Sequence, residues 1–358
     1  MVISAIVFSA CGDDDSTKVA PEEVKLSIND PDAVSQAMSV SGATLKEGMP
    51  PSPTSDAASP ILNDEGGDEK GIAIAGNGRT IYVNETSGVS IAGIYLQIQG
   101  ASSYFDIPVS STSVEGGRVG FGRRARTKKT KTMNSWYGFN LEIPANLEAG
   151  EFCVSYCVYT TDGLVSNVAQ VCIIVKEFGG DDSEFLTANA WELVSSTYYE
   201  LYDGQVDTDT TIVGQLNSNT YDYQVTCGDS SAVVSITETD RLNYLYIAMS
   251  SNGAFTAEDE YYEKSLDHGN SNCQSIKYDE TTLVYTIDGA WSYDAATGEM
   301  ILIYNGEETD DQGNTYIETD VEITKVSLVD GNLIWIFQEG EEGSDYYYKD
   351  IMTFKPKQ

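Results

Sequence analysis

Short runs in which apolar and polar residues alternate recur along the whole chain. The first, Val24, Leu26 and Ile28, places three aliphatic side chains on one face of a strand. Comparable runs follow at 80–83, 89–98, 104–109, 139–143, 152–159 and 168–175, with no credible helix among them. The stretch 48–71 holds four prolines and the turn pairs Pro50-Pro51 and Gly66-Gly67, so it reads as a loop. Seven or so short strands over residues 24–177 predict a β-sandwich.

The pattern resumes after a break at Phe178-Gly179-Gly180-Asp181-Asp182-Ser183, where paired glycines and aspartates read as a short flexible linker over 178–184. Strands are expected at 190–201, 210–216, 221–225, 232–237, 244–249, 254–262, 281–287, 290–293, 300–304, 315–327, 333–338 and 346–355. Turn pairs separate them at Asn252-Gly253, Asp288-Gly289, Thr297-Gly298 and Asp330-Gly331. Some of these runs are halves of one longer strand. Roughly eight antiparallel strands in residues 185–358 suit a small up-and-down barrel, which leaves no exposed edge.

Charge supports this division. The chain carries 56 acidic and 20 basic residues, a net charge of -36. From Glu184 onward there are 33 acids and 7 bases, a net of -26, and 17 of the 23 tyrosines. A surface this acidic has little tendency to bind nucleic acid. One basic island runs from Arg118 to Lys131 and includes Arg123, Arg124, Arg126, Lys128 and Lys129. It reads either as a contact for an anionic partner or as a long exposed loop.

The N-terminus carries a short, specific signal. Residues 2–10, VISAIVFSA, are apolar or small and precede Cys11; nine residues do not span a bilayer as a helix. The run Phe8-Ser9-Ala10-Cys11 resembles a bacterial lipobox, which implies a lipoprotein signal peptide over 1–10, lipidation at Cys11 and a tether over 11–23. Asp13, Asp14 and Asp15 resemble the export tag of surface lipoproteins in Bacteroidota. Together these resemblances imply an outer-membrane lipoprotein facing the exterior, held to the membrane through Cys11.

Five cysteines remain. Cys153 and Cys157 lie four apart on one face of a strand, and Cys172 lies on its hairpin partner. A two-residue turn at Asp162-Gly163 sets Cys153 opposite Cys172, whereas a wider loop sets Cys157 there; the sequence leaves both open. Cys227 and Cys273 are the remaining pair. Without a C-x-x-C pair, and with His268 as the sole histidine, no zinc site is expected.

Residues 185–358 resemble the lipocalin-like domains of Bacteroidota lipoproteins. The match rests on Trp191-Glu192-Leu193-Val194, the step from Tyr244 through Gly253 into Ala254-Phe255-Thr256, and Trp291-Ser292-Tyr293 before Gly298-Glu299-Met300. Gly331-Asn332-Leu333-Ile334-Trp335 and a closing Tyr–Phe strand complete it. Residues 24–177 are similar to the immunoglobulin-like module placed upstream in such proteins. The expected fold is therefore all-β, an immunoglobulin-like β-sandwich followed by a small antiparallel lipocalin-like β-barrel.

In such a barrel Trp191 plugs the closed end or stacks on a ligand. Trp291 with Tyr293, and Trp335 with Phe337, share inward faces as core residues or as the lining of a cavity. In Tyr346-Tyr347-Tyr348, either the middle residue or its two neighbours must be partly exposed. No nucleophile elbow, P-loop or dinucleotide fingerprint is present, and pairs such as Glu258 and Glu260 are expected by chance among so many acids. No cofactor or metal and no catalysis are expected. The leading expectation is binding of a small apolar or glycan-derived ligand, or of an envelope protein. The alternatives are a structural or adhesive role with a solid barrel, and a glycan-processing accessory role.

Overall fold

The computed structural model describes residues 25–63, 71–109, 135–202, 204–227, 230–309, 315–340, 343–344 and 346–358. Cys11, Asp13, Asp14 and Asp15, and the basic island with Arg123, Arg124, Arg126, Lys128 and Lys129, lie outside the described residues.

The first unit is a β-sandwich. Its strands are β1 (Ser39–Val40), β2 (Thr44–Glu47), β3 (Gly71–Ile74), β4 (Gly78–Glu85), β5 (Gly93–Ile98), β6 (Ser103–Pro108), β7 (Ser135–Glu142), β8 (Gly150–Tyr159) and β9 (Ala169–Lys176). One sheet has the order β1-β7-β4, the other β2-β6-β5-β8-β9-β3, and all neighbours are antiparallel except β3 and β9. Alternate residues of both sheets, among them Val83, Leu141, Leu96, Val154 and Ile173, bury into one core.

Among the described residues of the run at 24–28, Leu26 makes a single isolated bridge, to Leu147, because the chain leaves that edge at once for a helix. That helix, α1 (Pro31–Ala37), corrects the expectation of none: Asp30 caps the backbone N–H of Ala33, Pro31 occupies the first turn, and Val34 enters the core.

The second unit is the barrel. After α2 (Glu184–Thr187), its strands are β10 (Trp191–Tyr202), β11 (Gln205–Ile212), β12 (Asn217–Cys227), β13 (Ser230–Met249), β14 (Ala254–Leu266), β15 (Tyr278–Asp294), β16 (Glu299–Thr309), β17 (Thr315–Val329), β18 (Asn332–Glu339) and β19 (Tyr346–Pro356). The sheet runs β11-β10-β19-β18-β17-β16-β15-β14-β13-β12. It closes where Trp191 and Glu192 of β10 pair with Ile247 and Tyr246 of β13, so β10 and β13–β19 form an eight-stranded barrel.

Asp330-Gly331 turns as expected, with both residues at positive φ. Asp288-Gly289 does not turn. It lies inside β15, and a Cβ on Gly289 would meet the carbonyl oxygen of Ile303 on β16 at 2.2 Å. That glycine serves a close strand approach.

The linker is stitched to the barrel. Gly179 N–H donates to the Trp291 carbonyl at 2.8 Å, and Tyr293 N–H donates to the Gly179 carbonyl at 2.6 Å. Ile74 of the sandwich meanwhile buries against Ala290, Ile301 and Ile303 on the outer face of the barrel. Gly179 and Gly180 have positive φ, and backbone packs closely against Gly180, so this pair sets a fixed backbone path.

Candidate functional site: the floor and mouth of the barrel

The closed end is a solid aromatic floor. Trp191, Trp291 and Trp335 are 1%, 0% and 0% exposed and pack with Phe255, Met300, Leu302, Met352 and Phe354. Trp191 Nε1 donates to the Leu186 carbonyl at 3.0 Å, which ties α2 under the barrel. Trp291 Nε1 donates to the Ser250 carbonyl at 3.1 Å. Among the candidate ligand-lining residues, the three tryptophans therefore sit in the floor. Tyr293 stacks edge-on against Phe185 beside it, and Phe337 stands one level higher against Tyr348, with ring centroids 5.9 Å apart.

Above the floor the barrel forks. A bulge between Leu193 and Ser195 turns β10 away from β13 and onto β11. A second bulge between Leu242 and Tyr244 frees β13 for β12. The four-residue turn 213–216 fills the crotch, where Val213 N–H donates to the Val194 carbonyl and Gly214 N–H to the Leu242 carbonyl. On the opposite side, β15 pairs with β16 only from Gly289 to Asp294, and its upper half continues with β14 alone. The upper wall is thus two sheets, β12–β15 and β16–β19 with β10 and β11, parted by two gaps.

On β15 the inward positions open to solvent with height, whereas Tyr304, Glu322, Tyr348 and Asp350 on the other sheet stay buried. On β15, Trp291 is 0% exposed, but Tyr285 and Leu283 on the same face are 49% and 37% exposed. Buried side chains fill the floor, and the β15 side of the wall above it is wet.

The chemistry of that wall changes with the opening. Strand register places Tyr198, Glu200, Asp207 and Asp209 of β10 and β11 on the inner face, with Asp350, Tyr348 and Phe337 beside them. Tyr304, Asp320 and Glu322 follow on β16 and β17, and Glu238, Asp240, Asp259 and Tyr261 on β13 and β14. The strand lysines and arginine of this unit, Arg241, Lys264, Lys325, Lys349 and Lys355, take the alternate, outward positions. The strand bases of this unit are therefore confined to the outer face, whereas its acids occupy both faces, Glu192, Glu258, Glu260 and Glu280 among the outward ones.

Several of these acids are held. Ser196 Oγ donates to Asp350 Oδ1 at 2.6 Å, Tyr198 Oη to Asp207 Oδ2 at 2.9 Å, and Tyr304 Oη approaches Glu322 Oε2 at 3.4 Å. Asp259 differs: its Oδ1 is buried without a hydrogen-bond partner among the described residues. Burial lifts its carboxyl above the ordinary aspartate range, partly offset by the backbone N–H of Tyr285 and its own.

The remaining candidates lie elsewhere. Cys153 pairs with Cys172, the alternative with the Asp162-Gly163 register, and Cys157 is free and buried, which raises its thiol pKa to about 11. Cys227 pairs with Cys273 and ties the 267–277 segment near a satellite core of Val225, Ile236 and Leu266. His268 in that segment is exposed and contacts Tyr223 edge-on. Glu258 and Glu260 point outward, where they accept from Tyr244 Oη and Asn243 Nδ2, at 2.9 and 2.6 Å. Tyr347 and Tyr348 are both buried, contrary to the expectation for that run, because Tyr199 covers one face while Tyr198 and Phe337 cover the other. Glu151, Cys153 and Cys172 cluster closely, but both sulfurs are spent in the disulfide.

The inner-wall residues Tyr304, Asp259, Glu322 and Asp350 were not singled out by sequence reasoning. Their signal was alternation: in Tyr348, Asp350, Met352 and Phe354 the inward positions pass from polar to apolar along one strand.

No family model matches the chain, and no curated protein does. Among solved structures, the D00-D0 domain of intimin aligns over 63% of this chain and 98% of its own length, at 12% identity and a TM-score of 0.20. That score is too low to carry an argument about architecture or activity.

Proposed function

We propose that this protein is a non-catalytic binding lipoprotein of the cell surface, whose barrel mouth takes a polar, glycan-derived ligand. The carrying observation is the sorting of the inner wall, tyrosines and carboxylates above a filled aromatic floor. Tyrosine faces stack on the C–H faces of sugar rings, and carboxylates accept from sugar hydroxyls, so this lining suits a neutral saccharide better than a fatty chain. The resemblance of Phe8-Ser9-Ala10-Cys11 to a lipobox and of Asp13, Asp14 and Asp15 to an export tag supports an anchor on Cys11 and an outward-facing location. Arg123, Arg124, Arg126, Lys128 and Lys129 remain a candidate contact for an anionic envelope partner.

A second reading, a structural or adhesive envelope protein without a small ligand, draws on the solid floor and the stitched linker. Calorimetric titration of the protein with neutral oligosaccharides and with a long-chain fatty acid separates the two. The account expects saturable saccharide binding that Tyr198→Ala and Glu200→Gln, at part-exposed inward positions, weaken, and none for the fatty acid. Fatty-acid binding alone overturns the polar-mouth reading, and heatless titrations with both favour the structural one.

A further inference from the structure

The fork leaves two sheet edges facing one gap. β11 and β12 follow one another through a four-residue turn, yet they pair only with β10 and β13 and diverge from the crotch. Among the described residues, each therefore presents an outer row of backbone N–H and C=O groups without a strand partner. Edge strands are commonly shielded by lysine, proline, a bulge or inward-pointing charge; the inward aspartates of β11 are of the last kind, which repels an acidic strand and attracts a basic one. β11 reads Gln-Val-Asp-Thr-Asp-Thr-Thr-Ile and pairs with β10 without a register shift.

We infer that the free edge of β11 is a docking site for an extended polypeptide segment of another protein in which lysine or arginine alternates with aliphatic residues. Strand addition supplies main-chain hydrogen bonds, and the two faces of the wall supply the side-chain preference. Asp207 and Asp209 point to the acid-lined inside of the barrel, so one face of an added strand meets negative charge. Val206 and Ile212, on the opposite face, are exposed, so the alternate residues of that strand meet apolar surface. The segment's basic residues then turn inward and its aliphatic residues outward. This use of the edge stands independently of a saccharide in the mouth.

The probe is an eight-residue peptide alternating lysine and valine, titrated against the full chain. Two further versions are N-methylated on alternate residues, one in each frame. The inference expects binding that weakens with salt and slower amide exchange over 205–212. One N-methylated frame should bind and the other should not, because only one row of amides faces β11. Asp207→Asn with Asp209→Asn should weaken binding about tenfold while leaving the folded spectrum unchanged. Equal binding of both N-methylated frames means charge adsorption alone and overturns the inference. So does the absence of binding, or protection confined to another edge such as 278–288. Self-association abolished by neutralising Arg123, Arg124, Arg126, Lys128 and Lys129 would make a second copy the occupant and overturn it as well.

Discussion

Gly180→Ala tests how firmly the two units are joined. Gly180 has φ +153, and an added Cβ would lie 2.2 Å from the carbonyl oxygen of Tyr293. The variant has two routes. Keeping the backbone path costs on the order of 1–3 kcal/mol in dihedral strain, before any overlap is counted. Releasing it loses the two hydrogen bonds between Gly179 and the Trp291–Tyr293 backbone, each worth about 1 kcal/mol net. Release also gives up the contact between Phe178 and Gly253, whose Cβ position lies 2.4 Å from the Phe178 side chain. Phe178 is largely exposed, so that loss is small. The cheaper route is release, at about 2–3 kcal/mol. Native-state hydrogen exchange reads it directly: the amides of Gly179 and Tyr293 should exchange about 30- to 150-fold faster in the variant. Gly163→Ala is the control, with similarly positive φ but open space around its Cβ position, and should leave both amides unchanged. Unprotected amides at 179 and 293 in the parent protein, or no acceleration in the variant, would refute the stitched linker.

Four other outcomes follow from the geometry. Trp335→Ala empties the centre of the floor and should cost about 3–5 kcal/mol in chemical denaturation. Asp259→Asn should raise the melting temperature at neutral pH: a carboxyl whose folded-state pKa is raised disfavours the folded form above that pKa, and the gain should fade as pH falls through it. Cys227→Ser should cost about 2–4 kcal/mol and speed proteolytic cleavage within 267–277, while Cys157 should stay unreactive to thiol reagents until the sandwich unfolds.

Much of the fold is legible in the sequence, because a half-buried strand writes its burial as alternation. Trp191 with Leu193 and Met352 with Phe354 announce the inward face directly. The helix α1 was legible too, since Asp30 followed by Pro31 is an N-terminal helix signature; its brevity hid it among strand runs. Glycine misleads where its purpose is proximity. Gly289 and Gly179 read as a turn and a hinge, but each sits where neighbouring backbone approaches closely or φ is positive. The fork was out of reach for a different reason. It depends on which distant strand takes the second side of β10 and β13, and local alternation is the same in either pairing. The acid-lined mouth depends on that fork, so its residues stood in the sequence without a visible place to meet.

The most direct test of the central claim, that the mouth above the aromatic floor holds a ligand, is native mass spectrometry of residues 12–358 taken from an oxidising host extract. The account predicts an added mass of saccharide composition that leaves on denaturation and is diminished in Glu200→Gln. A bare mass that persists after exposure to polysaccharide mixtures would contradict it.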